Sequence, residues 1–139
     1  MKMTPRRSNM LSIGQQAFLL KNSIANAKVS TGIRSLEFRA LVRPTAISRE
    51  YDLRIRYEIG KHPVSTILAP NIGELTTKKI PHLWKVDPYE LCLYFSPEKE
   101  WLPHMHLART IFPWSLEWMF FFECWLGSGE WDGGGTVHN

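Results

Sequence analysis

Two cysteines and five histidines are the side chains of this 139-residue chain best suited to group transfer or metal binding. Cys92 lies in a short apolar run, Leu91 to Phe95, with Glu90 before it and Ser96, Pro97 and Glu98 after it. Loop-forming residues on both sides can expose a side chain there. A thiol of ordinary pKa, about 8.5, is a few per cent thiolate near neutral pH and already a competent acyl acceptor. The competing reading is a strand cysteine buried as a small hydrophobe, the commonest fate of a free cysteine. Cys124, between Phe122 and Trp125 in the most apolar stretch of the chain, is expected to be inert core.

The histidines invite a metal, because His104 and His106 stand one residue apart and His82 could complete a site with Cys92. Structural zinc needs four ligands at recognisable spacings, and the chain has no Cys-x-x-Cys pair, so no metal is expected. His104 and His106 read instead as the solvated start of a helix. A Cys/His hydrolase built on Cys92 and His82 lacks a third residue to orient the imidazole. No phosphate-cradling loop or dinucleotide fingerprint occurs, and no cofactor is expected.

These residues need elements to hold them. Ser12 and Gln15 form a capping-box pair, and Met10, Ile13, Ala17, Leu20, Ile24 and Ala27 recur at three- and four-residue steps, which predicts an amphipathic helix. After Ser30, Thr31 and Gly32 the period becomes two. Leu36, Phe38, Ala40 and Val42 alternate with polar residues until Pro44, and Tyr51, Leu53, Ile55, Tyr57 and Ile59 alternate with Asp52, Arg54, Arg56 and Glu58. Both runs read as strands with one core face and one wet face. Val64 to Leu68 adds a third strand, and the short connections suit an antiparallel meander. Pro70 to Tyr89 reads as loop. Leu107, Ile111, Trp114, Trp118, Phe121 and Trp125 keep helical spacing, with Pro113 in a first turn and Gly127 as a stop. The aromatic series on that helix is expected to pack on the sheet.

All six Trp lie between Trp84 and Trp131, so the densest core belongs to the C-terminal half. The length suits one domain, 1–139, with loose termini at 1–9 and 132–139. Met1 to Lys79 carries 14 Lys and Arg against 5 Asp and Glu, and Ile80 to Asn139 carries 3 against 8. Such asymmetry favours an acidic partner for the first part, but charge alone names no chemistry, and nucleic-acid binding is not expected. The apolar stretch Ile111 to Leu126 is shorter than the ~20 residues a bilayer requires and carries Glu117 and Glu123. No signal-like segment precedes the fold, so a cytoplasmic protein with reduced thiols and no membrane partner is expected.

The element order and one local pattern resemble the ubiquitin-conjugating (E2) family. Pro81-His82-Leu83-Trp84, then Leu91-Cys92-Leu93, then Trp101 and Pro103 is similar to the E2 succession of a His-Pro-Asn run, a cysteine between aliphatic residues ten positions after the histidine, and a Trp-x-Pro. A closer likeness is to the stand-alone E2-like proteins of type II CBASS anti-phage systems. It runs through Leu91-Cys92-Leu93-Tyr94, Glu100-Trp101, Ala108-Arg109-Thr110-Ile111, Pro113-Trp114, Glu117-Trp118, Glu123-Cys124-Trp125-Leu126 and Gly129-Glu130-Trp131, covering roughly residues 80–135.

The resemblance implies an α+β E2 fold: an N-terminal helix, a four-stranded antiparallel meander, and C-terminal helices. It implies a thioester transferase in which Cys92 is the nucleophile, assisted by His82, and takes the C-terminus of a protein partner, a CD-NTase nucleotidyltransferase. Trp84, Tyr94 and Trp101 become candidates for contacting the partner's tail, with Thr76 to Tyr89 and Glu98 to His104 as walls. One departure is that Trp84 stands where E2 enzymes carry the Asn used near the oxyanion. The alternative is a non-catalytic E2-like module that only binds its partner.

Overall fold

The computed structural model describes residues 9–93 and 100–133. Helix α1 (Ile13–Ser23) begins at the capping box: the Ser12 hydroxyl accepts from the Gln15 amide at 3.0 Å, and Gln15 Oε1 accepts from the Ser12 amide at 2.8 Å. Met10, Ile24 and Ala27, expected on the helix face, lie outside its bounds. Its buried line is Ile13, Gln16 and Leu20. The polar member is satisfied, because Gln16 Nε2 donates to the Met105 carbonyl and Gln16 Oε1 accepts from the Leu107 amide, both at 2.8 Å. A buried amide leaves no polar atom idle only with such a clamp. It ties α1 to the segment that follows Trp101.

Six strands form one antiparallel sheet: β1 (Lys28–Thr31), β2 (Ser35–Val42), β3 (Tyr51–Glu58), β4 (Val64–Ala69), β5 (Leu83–Lys85) and β6 (Tyr89–Leu91), in the spatial order β1-β2-β3-β4-β6-β5. The first four are a consecutive meander, and the β5–β6 hairpin extends it to six. Alternation places Leu36, Phe38, Ala40 and Val42 beside Tyr51, Leu53, Ile55 and Tyr57 on the inner face, all buried. Glu37, Arg39, Arg54 and Arg56 line the outer face, where Glu37 pairs with Arg56 at 2.9 Å. β1 escaped the sequence reading because an edge strand with one apolar residue in four shows no period. β5 and a 3-10 turn at Ile72–Leu75 lie inside the expected loop; three residues and a register shift between Leu83 and Lys85 leave no alternation to read.

Helix α2 (Ile111–Ser128) packs on the inner face. Phe112 meets Phe38 edge-on at 5.6 Å, and Ser115 Oγ lies 2.6 Å from Ser65 Oγ. The buried residues are Ile111, Ser115, Trp118, Met119, Phe122 and Trp125. The face is therefore rotated from the expected one, and Trp114 and Phe121 are only half-buried. The helix runs through Gly127 and stops at Gly129, whose left-handed φ of 81° lets its amide donate to the Trp125 carbonyl at 2.8 Å. Of the expected loose ends at 1–9 and 132–139, residues 1–8 and 134–139 lie outside the described residues.

Candidate active site

The ten-residue spacing between His82 and Cys92 is a hairpin. Leu83 pairs with Leu91 across β5 and β6, and the next rung brings the Cys92 amide to the His82 carbonyl at 2.9 Å. Trp84 absorbs the extra residue at the register shift, and Asp87 turns the chain with φ of 57°. The two residues picked from the sequence as a reacting pair are thus neighbours through their main chains.

Cys92 is 0% exposed, and its flanking Leu91 and Leu93 are buried with it. The sequence leaves two readings open, a thiol exposed by the flanking loops or a strand cysteine buried as a small hydrophobe; Leu91 and Leu93 enter the core and Cys92 goes in with them. Cys124, expected to be core, is the less buried thiol of the two. It sits on α2 beside the inward residues Phe122 and Trp125, off the buried face.

His82 is also buried, 1% exposed, and holds a φ of 55°, a region that non-glycine residues rarely adopt. Its carbonyl accepts a second hydrogen bond, from the indole Nε1 of Trp118 at 2.9 Å. Its ring lies against Trp131, centroids 5.0 Å apart, and Trp131 in turn lies 5.5 Å from Trp118. The residue before β5, the residue after β6, α2 and the segment after α2 therefore meet at His82.

The candidate tail-contact residues separate. Trp84 is 56% exposed and lines a groove of about 330 Å³ with Lys78, Lys79, Ile80, Val86 and Tyr89. The floor is close: a Cβ at Gly73 would overlap the Tyr89 hydroxyl, which donates to Asn71 Oδ1 at 2.7 Å. Trp101 does not line that groove. It is 3% exposed, packs edge-on against Tyr57 at 5.1 Å, and donates from Nε1 to Thr110 Oγ1 at 3.1 Å. Tyr94 and the first part of the expected wall Glu98 to His104 lie outside the described residues. Two larger grooves, of about 440 and 580 Å³, run along β1 to β3 and include none of the candidate residues.

The sequence reading missed two contributors. One is Trp118, whose indole N–H reaches a carbonyl 36 positions away. The other is Glu123, whose carboxylate accepts from Ser48 Oγ at 2.7 Å and from the Tyr51 hydroxyl at 2.8 Å, fastening α2 to the β2–β3 connection. A carboxylate among Phe120, Phe121, Phe122 and Trp125 was the available signal, since a charge there needs buried partners. Burial and this carboxylate hold the Tyr51 hydroxyl far above the usual phenol range. Burial also raises Tyr57. On the outer face, burial first and the neighbouring Arg56 second lower Arg54.

Among the described residues, no group of three or more His, Cys, Asp or Glu is placed to hold a metal ion. No described helix is long and apolar enough to cross a membrane. No curated protein matches the chain. The family model of the Type II CBASS E2 protein matches residues 16–139, which takes in most of α1, the whole sheet, the His82–Cys92 pairing and α2. With most of its length covered by that match, the chain belongs to the type II CBASS E2 family.

Proposed function

We propose that this protein is an E2-like thioester transferase of CBASS anti-phage defence, acting in the cytoplasm on the C-terminus of a CD-NTase partner, with Cys92 as the nucleophile. Its family ties it to CBASS. The observation that carries the chemistry is the pairing of Cys92 with His82 at the base of the β5–β6 hairpin, within a helix, meander and C-terminal helix ordered as in an E2 fold. In the reaction the Cys92 thiolate adds to an activated carbonyl at the partner's C-terminus, such as a thioester or acyl adenylate. A sulfur–carbon bond forms, the bond to the leaving group breaks, and the group departs with its electron pair. The product thioester keeps the acyl group reactive for a second transfer.

The Cys92 amide is committed to the His82 carbonyl, so the oxyanion is stabilised by another donor, a role we assign to the His82 imidazole. Trp84 and its groove receive the extended tail, and Tyr94 is a second proposed contact for it. Trp101, packed against Tyr57, lines no part of that groove and serves the core instead. The sulfur is covered in the described state, so the chain around it opens before attack. The test supplies the partner's C-terminal peptide as a small-molecule thioester and reads the intact mass: a thiol-labile acyl adduct supports the reading, and its absence overturns it.

The burial of Cys92 favours a second reading, a non-catalytic E2-like module that binds its partner and uses Cys92 for packing. Partner binding that survives Cys92→Ala, with no adduct on the wild-type chain, distinguishes it.

A further inference from the structure

We infer that Trp118 is a positioning residue for Cys92, acting through the carbonyl of His82; the inference rests on the transferase reading above. Helical spacing assigns Trp118 to packing alone, and its indole does stack on Phe122 at 5.3 Å. Its N–H does something more. The His82 carbonyl has two lone pairs, and it takes one hydrogen bond from the Trp118 indole and one from the Cys92 amide, each at 2.9 Å.

His82 is in a left-handed conformation that a β-carbon disfavours, so its peptide keeps this orientation only where surrounding contacts over-determine it. Among the contacts that do so are these two donors at the carbonyl and Trp131 against the ring. Of the donors, only Trp118 comes from outside the hairpin. The indole therefore fixes where the base of the hairpin lies on α2, and with it where the Cys92 main chain, and the sulfur it carries, stands relative to an arriving acyl group. Loss of the N–H leaves the ring site filled but lets the His82 peptide rotate, and a small misplacement of a reacting atom costs far more rate than binding.

The test compares Trp118→Phe, which keeps an aromatic ring without the donor, with Phe122→Leu, a neighbouring core change that touches neither His82 nor Cys92 through any hydrogen bond. Both are melted, and both react with the peptide thioester over a range of concentrations. Trp118→Phe is expected to lower the maximal rate about tenfold with the half-saturating concentration unchanged. Phe122→Leu is expected to lower the melting temperature while leaving the maximal rate within about twofold. A wild-type maximal rate in Trp118→Phe, or equal slowing in both variants, overturns the inference. A wild-type chain that forms no thioester overturns the transferase reading and this inference with it, whereas an active wild type with an unaffected Trp118→Phe overturns this inference alone. Should Trp118→Phe not fold, hydrogen exchange followed by NMR on the wild-type chain decides. The Cys92 amide and Trp118 indole protons share one acceptor and should exchange together; an indole proton exchanging freely beside a protected amide contradicts the inference.

Discussion

The amide of Cys92 donates to the carbonyl of His82 at 2.9 Å, so the two residues that sequence singles out for chemistry are joined by backbone and lie together under cover. The thiol is held in place but is not presented to solvent. Any reaction at Cys92 therefore includes an opening step, and its rate is set by that opening as well as by the thiolate.

The two thiols should differ in reactivity in the order opposite to the one expected from sequence. Iodoacetamide applied to the native protein, with peptide mapping of the product, is expected to modify half-buried Cys124 first and Cys92 at least about tenfold more slowly, at the rate of local opening. Cys92 labelling ahead of Cys124 would show that the sulfur is accessible without opening.

Glu123→Ala removes the acceptor of two hydroxyls, those of buried Ser48 and Tyr51. Ser48 Oγ keeps Thr45 as a partner, but the Tyr51 hydroxyl loses its acceptor, which is expected to cost about 1–3 kcal/mol in urea unfolding, while Glu123→Gln, whose amide oxygen still accepts, costs less. An unchanged midpoint for Glu123→Ala would mean that this link does not hold α2 to the sheet.

Alkaline pH should weaken the fold through its buried tyrosines. Tyr51 and Tyr57 both hold their protons more tightly when folded than the ordinary phenol value of 10.0. A group with a raised folded pKa contributes fully below its unfolded value, and that contribution falls as pH rises above it, because the unfolded state then releases the proton first. Unfolding free energy is therefore expected to be level with respect to these groups up to about pH 10 and to decline above it. Tyr57→Phe makes the decline shallower, and at neutral pH it costs less than about 1 kcal/mol, since the Tyr57 hydroxyl has no hydrogen-bond partner among the described residues. A slope unaltered by the substitution would contradict the role given to Tyr57.

How much of this was legible in the sequence depends on the range of the interaction. The Ser12–Gln15 cap and the alternation of Tyr51 to Tyr57 are local patterns, and both elements form where the pattern places them. β1 is too polar, and β5 too short and irregular, to carry a period. The rotation of α2 that turns Ser115 inward follows from Ser65 on another strand, which no helical spacing encodes. At the site, the His82–Cys92 spacing was readable, but the depth of Cys92 was not, because it depends on Leu91 and Leu93 finding the core. Trp101 shows the same limit: its position after a polar turn suggests a surface groove, yet contact with Tyr57 draws it inside.

The most direct test is the intact mass of the wild-type chain, Cys92→Ala and Cys124→Ala after co-production with the proposed CD-NTase partner, read with and without a thiol reductant. Wild type and Cys124→Ala should carry a partner adduct that the reductant removes, and Cys92→Ala should carry none. A full adduct on Cys92→Ala, or none on the folded wild-type chain, would contradict thioester formation at Cys92.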